Sequence, residues 1–127
     1  MPVFSSSIPI LRIFSLDKAK EFYLDFLGFA ADWEHKLEPD SPVYTQVSRG
    51  PLVLHLSEHH GDGVPGTAIF IPMEGIEEFQ RELAAKHYGY MSPNILDQDW
   101  GMRELHLIDP FGNRLRFAER KNPSGSK

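Results

Sequence analysis

Hydrophobic and polar positions alternate most regularly between Asp97 and Phe117. In two stretches of this segment apolar residues alternate with charged or ionisable ones. Leu105 and Leu107 alternate with Glu104 and His106, and Leu115 and Phe117 alternate with Arg114 and Arg116. A period of two predicts strands with one apolar and one charged face. Between the stretches, Asp109-Pro110 followed by Gly112-Asn113 is typical of a tight turn, because Pro presets φ and Gly or Asn tolerates a positive φ. The segment therefore predicts a β-hairpin whose charged face lines a cavity.

The rest of the chain divides into elements that occur in the same order twice, with helices marked by apolar residues three and four positions apart. The first set is strand Ile8–Phe14, a helix capped by Asp17 and ended by Gly28, and strands Ala30–Lys36, Val43–Ser48 and Leu52–Ser57. The loop Glu58–Gly66 follows. The second set is strand Thr67–Pro72, a helix from about Gly75 to Lys86, and strands at about Ser92–Gln98, Arg103–Asp109 and Asn113–Glu119.

The two sets are offset by about 60 residues, so that Asp17 falls against Glu77 and Tyr23 against Leu83. A pattern that repeats at a fixed offset is typical of a duplicated module, and chance similarity of two strand–helix units is the alternative. We predict an α+β fold of two βαβββ modules within a single domain, residues 1–127. Module one covers about residues 3–57, a linker 58–66, module two about 67–119 and a flexible tail 120–127.

Composition excludes several classes of protein but selects no activity. The chain is 41% hydrophobic and 24% charged, which excludes a disordered or collagen-like protein, and it has no cysteine for disulfides, thiolate metal sites or nucleophiles. The formal charge of −5 argues against a non-specific nucleic-acid binder and weakly favours cationic ligands. There is no signal-peptide pattern and no apolar run near the ~20 residues that span a bilayer. We expect a cytoplasmic protein without a membrane or nucleic-acid partner.

Three segments together carry a resemblance to a known family: IPILRIFSLDKAKEFYLDFLGF, GTAIFIPMEGIEEFQREL and WGMRELHLIDPFGNRLRF. With them the chain resembles the vicinal oxygen chelate superfamily, which contains glyoxalase I, extradiol dioxygenases and the bleomycin resistance proteins, from about Ile8 to Glu119. The metal-free bleomycin resistance branch is the most similar. The resemblance implies curled mixed sheets with the helices outside. It also implies a homodimer with ligand crevices at the dimer interface.

The resemblance also gives the positions of four metal ligands, on the first and last strands of each module. Carried over one by one, these positions hold Ile8, His55, Ala68 and Arg116. Only His55 can ligate a metal, and the guanidinium of Arg116 stays protonated and repels a cation. Because a site normally needs three or four nitrogen or oxygen ligands, we expect no metal and no other cofactor.

Two other metal sites remain alternatives. The loop Glu58–Gly66 contains adjacent histidines, although a solvated loop is the simpler interpretation. The period of two also places His55, Glu104 and His106 on inward faces, where they could share one divalent ion such as Zn, Ni, Mn or Fe. The simpler interpretation there is an internal network in which Arg116 pairs with Glu104.

Three aromatic residues match wall positions of the family's ligand cleft: Trp33, Phe70 and Trp100. Trp100 stands in a polar loop, which is an unusual place for an indole unless it stacks on something. Packing against a loop or a dimer interface is the alternative for Trp100. We predict a slot for a planar aromatic ligand, held by stacking on these walls and by four polar anchors: His55, Glu104, His106 and Arg116.

The sequence therefore predicts a metal-independent protein that sequesters a small molecule, for example a bleomycin-like drug, without catalytic residues. An anionic or neutral aromatic ligand fits Arg116 equally well. One alternative is a divergent glyoxalase- or dioxygenase-type metalloenzyme that uses His55 with Glu104 or His106. A second is a structural dimer without a ligand, in which the partner chain buries Trp100.

Overall fold

Strands and helices form two units, each with its own core. The computed structural model describes residues 1–88 and 93–121. The first unit, Met1–Pro65, contains β1 (Ile10–Arg12), α1 (Leu16–Lys20) with a π-helical continuation (Glu21–Phe26), β2 (Ala30–His35), β3 (Tyr44–Arg49) and β4 (Leu52–Ser57). The second begins at Gly66 and contains β5 (Ala68–Pro72), α2 (Ile76–Lys86), β6 (Ile95–Asp97), β7 (Met102–Ile108) and β8 (Arg114–Arg120).

Both units have the same sheet topology. The strand order is β1-β4-β3-β2 in the first and β5-β8-β7-β6 in the second. In each unit the first strand is parallel to the last, and the remaining neighbours are antiparallel. This identical order confirms the predicted α+β fold of two βαβββ modules.

In the first unit the helix covers one face of the sheet. Ala19 and Tyr23 on the helix bound the same small void as Val47 and Leu56 on the sheet. These side chains are buried, together with the other apolar residues of this face and of the π-helical segment: Leu11, Phe22, Phe26 and Leu54. The apolar half of each alternating strand therefore lies beneath the helix, and the polar half lies on the open face.

The first helix is capped two residues earlier than the predicted cap, Asp17. Ser15 is the N-cap, and its hydroxyl accepts a hydrogen bond from the backbone N–H of Lys18 at 3.2 Å. Asp17 lies in the first turn, where its charge interacts favourably with the helix dipole. Gly28 follows the helix with a φ of 78°, in agreement with the predicted end. No helix in residues 1–88 and 93–121 is long and apolar enough to cross a membrane.

The first strand is shorter than the predicted Ile8–Phe14. Pro9 has no backbone N–H to donate, although its carbonyl accepts from the N–H of His55 at 3.0 Å. Regular pairing with β4 begins at Ile10, which lies beside His55. Strand β6 is likewise shorter than Ser92–Gln98, and Ser92 itself lies outside the described residues.

In the second unit helix α2 packs against β7 and β8. The rings of Phe79 on the helix and Phe117 on β8 meet edge to face, with centroids 4.9 Å apart. The N-terminus of α2 is held by the Glu119 carboxylate, which accepts from the N–H of Ile76 at 2.9 Å. This helix buries the apolar side chains of the sheet: Ile71, Leu105, Leu107, Leu115 and Phe117.

The turn between β7 and β8 is organised by one buried carboxylate. Asp109 Oδ1 accepts from the N–H groups of Phe111 and Asn113, both at 2.8 Å, and Oδ2 accepts from Asn113 Nδ2 at 2.9 Å. Gly112 has a φ of 88°, which only glycine adopts without strain. The side chain of Asp109 thus sets the register of the hairpin that carries Glu104, His106 and Arg116.

We predict that Asp109→Ala lowers the free energy of unfolding by about 2–3 kcal/mol, because it leaves buried donors without an acceptor. Asp109→Asn is the matched control, since it keeps one oxygen that can accept from the backbone. Urea unfolding followed by circular dichroism measures both variants. A loss as large for Asp109→Asn as for Asp109→Ala would contradict this role of the side-chain oxygen.

Candidate functional site

The open face of each sheet carries large aromatic side chains that no helix covers. Trp33 of the first unit is 43% exposed, and Phe70 and Trp100 of the second are 53% and 65% exposed. All three were predicted as cleft walls. The structure places Trp33 with His55 in the first unit, and Phe70 and Trp100 with Glu104, His106 and Arg116 in the second.

In the first unit Trp33 lies against two other rings. Its indole stacks on the ring of Tyr44 with centroids 6.0 Å apart and planes 9° apart, and it meets the imidazole of His55 edge-on at 5.5 Å. Tyr44 and His55 also meet edge to face, at 5.2 Å. The three rings form one aromatic cluster on the open face.

A hydrogen-bond chain fixes the tautomer of His55. The carboxylate of Asp32 accepts from Gln46 Nε2 at 2.9 Å, so the amide oxygen of Gln46 faces His55 Nε2, also at 2.9 Å. Since that oxygen only accepts, neutral His55 carries its proton on Nε2. Its Nδ1 then accepts from the Tyr44 hydroxyl at 2.8 Å. Both ring nitrogens of His55 are therefore engaged within the protein.

The surroundings shift the acidities at both ends of this chain. Hydrogen bonds from Gln46 and Ser48 lower the pKa of Asp32 below its usual value, so that its carboxylate is charged at neutral pH. Desolvation, aided by the charge of Asp62, raises the pKa of the Tyr44 phenol. Tyr44 therefore keeps the proton that it donates to His55.

In the second unit a fully buried carboxylate ties the predicted anchors together. Glu104 Oε1 accepts from His106 Nε2 at 2.8 Å and from Gln98 Nε2 at 3.4 Å, and Oε2 accepts from Trp100 Nε1 at 3.1 Å. The guanidinium Nε of Arg116 lies 3.6 Å from Oε1. Glu104 therefore orients the more exposed side chains around it, while its own side chain is 1% exposed.

Glu104 stays ionised in spite of its burial. Desolvation raises the pKa of this carboxyl, but the hydrogen bonds from His106 and Trp100 and the charge of Arg116 together outweigh it. The pKa therefore lies below the usual value.

A groove of about 430 Å³ lies on the open face of β5, β7 and β8. The side chains that point into it include one aromatic ring, one imidazole and two guanidinium groups: Phe70, His106, Arg114 and Arg116. In the register of the sheet, Arg116 lies between Phe70 on β5 and His106 on β7. The groove thus brings together three of the predicted ligand-binding residues, with Arg114 in addition.

Comparison with known proteins decides the family. The family described as glyoxalase superfamily protein matches residues 2–124, which is nearly the whole chain. The chain belongs to the glyoxalase superfamily. This confirms the resemblance to the vicinal oxygen chelate proteins that the three sequence segments carried.

Within the glyoxalase superfamily the chain is similar to bleomycin resistance proteins. Those of Geobacillus stearothermophilus and Staphylococcus aureus are 28% identical to it over 133 residues, which cover 89% of this chain and 95% of theirs. The bleomycin-binding protein of Streptomyces verticillus, solved with copper(II)-bleomycin, is 25% identical, with a TM-score of 0.69 over 92% of this chain and 97% of that one. A glyoxalase-related enzyme from Clostridium phytofermentans shares the fold at a TM-score of 0.71 and 19% identity, over 94% of this chain and 97% of its own.

The positions that hold metal ligands in glyoxalase-superfamily enzymes do not fit a metal in this chain. Ile8 and Ala68 have no donor atoms, and Arg116 is cationic. The nitrogens of the fourth residue, His55, are both hydrogen-bonded to protein groups. In the described parts of the chain, no three His, Asp or Glu side chains are grouped so that they could hold a metal ion.

Several residues of these faces were not among the predicted site residues. Tyr44 and Gln46 share the period-two parity of His55 across the β3–β4 pair, and Arg114 has the parity of Arg116 on β8. The alternating pattern alone was therefore sufficient to assign all three residues to the open faces. Asp32 gave no such signal, because the bulge between Ala31 and Trp33 interrupts the regular pattern of β2.

We predict that Glu104→Gln is less stable than the parent protein at pH 7, by about 1–3 kcal/mol, because charged hydrogen bonds are lost. Since the folded pKa of Glu104 lies below the ordinary 4.5, its stabilisation is complete above that pH and disappears as the pH falls through the folded pKa. The difference between parent and variant should therefore shrink towards about pH 3.5.

Urea unfolding at both pH values measures this difference. Glu77→Gln is the control, because it removes an exposed partner of Arg103 from the same unit. A Glu104→Gln difference that stays constant with pH, or one no larger than that of the control, would contradict the assigned role of the buried carboxylate.

Proposed function

We propose that this protein is a metal-independent small-molecule binding protein that captures a planar aromatic ligand stoichiometrically, as a bleomycin resistance protein sequesters its drug. The ligand would lie in a cleft near the interface of a homodimer and stack on exposed aromatic rings of the chain, for which Trp33, Phe70 and Trp100 are each candidates. Capture needs no bond to be made or broken in the ligand. The similarity to bleomycin resistance proteins and to a bleomycin-binding protein supports binding of a small molecule of this kind.

One observation carries the proposal: both units leave large aromatic rings exposed where no helix covers them, while the strand side chains beneath the helices are buried. Single exposed apolar residues are common, but large rings grouped on an uncovered face are typical of a binding site. Trp33 is also held in place by Tyr44, and Trp100 by its hydrogen bond to Glu104. Rings that are already positioned lose little conformational entropy when a flat molecule stacks on them.

The chemistry of the polar residues supports capture over catalysis. At three of the four positions that a glyoxalase-superfamily enzyme uses for its metal, this chain has no ligating atom. Neutral His55 would have to give up its bond with the Tyr44 hydroxyl before Nδ1 could accept a proton from a substrate. His106 contacts the Glu104 carboxylate through Nε2, and this hydrogen bond orients its ring. These histidines are suited to hold a site in shape.

Titration calorimetry with two probes, bleomycin and the neutral planar molecule 2-naphthol, tests the proposal. At least one probe should bind with a stoichiometry of one per chain. Trp100→Ala should weaken that binding about tenfold or more, because a stacked aromatic contributes about 0.5–1.5 kcal/mol beyond the burial of its area and about 1.4 kcal/mol is a factor of ten.

Two variants serve as controls for this experiment. Trp100→Phe keeps an aromatic plane and should retain most of the affinity, while Leu37→Ala removes an exposed apolar side chain from the β2–β3 loop and should have no effect. Circular dichroism confirms that each variant is folded. Unchanged affinity in Trp100→Ala would overturn the role of Trp100, and failure of bleomycin, 2-naphthol and the charged naphthalene probes alike to bind the parent protein would overturn the proposed function.

A further inference from the structure

The groove in the second unit has a surplus of positive charge in a protein of net charge −5. Its walls include Arg114 and Arg116, and no carboxylate lines it among the described residues. Arg114 is exposed and has no ion-pair partner in the described parts of the chain. Guanidinium groups are charged at every accessible pH, so this charge is permanent.

The carboxylate nearest to the groove does not cancel this charge. Glu104 is buried behind the face and is already engaged by N–H groups of Trp100, His106 and Gln98. Its distance of 3.6 Å from Arg116 Nε leaves the two terminal nitrogens of that guanidinium to other partners. One negative charge therefore lies against two positive ones, and the surplus faces the groove.

The two arginines are spaced to hold one anionic group. They are two positions apart on β8, so their backbones are about 6.5–7 Å apart and their side chains emerge on the same face. A guanidinium presents a planar fork of donors that matches the oxygens of a carboxylate, sulfonate or phosphate. Phe70 lies beside Arg116 in the register of β5 and β8, which provides an apolar ring next to the anion.

We propose that this groove selects aromatic anions, with Phe70 contacting the ring and Arg114 and Arg116 recognising the charge. The inference rests on the proposed capture function and names the chemical class of its ligand. A cationic aromatic drug would meet like charge in the groove and is disfavoured there. The negative charge of the whole chain thus does not predict the charge preference of its groove.

Three naphthalene probes of similar size test the inference by titration calorimetry: 2-naphthoate, neutral 2-naphthol and 2-naphthylmethylammonium. We expect 2-naphthoate to bind at least tenfold more tightly than the ammonium probe, with 2-naphthol between them. Raising the salt concentration should weaken 2-naphthoate and leave 2-naphthol unchanged, because salt screens only the charged contact.

Arg114→Gln is the decisive variant, since Arg114 has no partner within the described protein whose loss could disturb the fold. It should weaken 2-naphthoate about tenfold and leave 2-naphthol unchanged. Arg81→Gln is the matched control, because it removes the same charge from the exposed side of α2 and should change neither affinity. Arg116→Gln should act like Arg114→Gln in the same titration.

The outcomes separate this inference from the proposed function. Equal binding of all three probes, or an Arg114→Gln affinity for 2-naphthoate equal to that of the parent, would overturn the charge preference and leave aromatic capture standing. Tighter binding of the ammonium probe would also overturn it. If no naphthalene probe and no bleomycin binds, the proposed function and this inference both fail.

Discussion

A strand directs successive side chains to opposite faces, and within residues 1–88 and 93–121 each four-stranded sheet has a single helix that covers one of its faces. Everything else in the two units depends on that constraint. The apolar half of the alternating pattern lies beneath the helix, with Phe79 against Phe117 in the second unit. The polar and aromatic half is left to make its own contacts on the open face. The candidate site consists of those contacts.

The two open faces hold their uncovered polar and aromatic side chains with different kinds of hydrogen-bond network. In the first unit a chain of neutral hydrogen bonds from Tyr44 through His55 and Gln46 ends on the exposed carboxylate of Asp32. In the second unit the buried carboxylate of Glu104 accepts hydrogen bonds from N–H groups of Trp100 and His106. Both networks fix aromatic and basic side chains in one arrangement. Such preorganisation favours binding, because these side chains lose little conformational entropy when the ligand associates.

Much of the fold could be predicted because its signals are local. The period of two gave strand β4 its bounds, and the positive φ tolerated by Gly28 marked the end of the first helix. The predicted helix cap and the predicted start of β1 were wrong, because in each case a neighbouring residue determined the boundary. Ser15 precedes Asp17 and offers its hydroxyl to the helix first, and Pro9 removes the N–H that a longer β1 would need. The π-helical segment left no sequence signal, because it differs from an α-helix only in hydrogen-bond register.

The candidate site was less predictable than the fold, because alternation gives the face of a residue but not its depth or its partners. Alternation placed Glu104 with His106, yet only the structure reveals that the carboxylate is buried and the imidazole is its donor. Alternation also assigns Tyr44 and Arg114 to these faces. They were not predicted as site residues, because nothing in their residue types indicated a role in binding. The pairing of both His55 nitrogens depends on the neighbouring strand, and a single sequence does not contain that information.

Ligand binding by metal-stripped protein shows whether capture occurs without a metal. Protein treated with a chelator would be dialysed against 2-naphthol or 2-naphthoate, with and without added Zn, Ni, Mn or Fe, and the ligand would be recovered and analysed. We expect one ligand per chain with an affinity that neither the chelator nor the metals change, and a ligand recovered intact. Binding that disappears on chelation and returns with one metal, or a ligand recovered as a product, would contradict it.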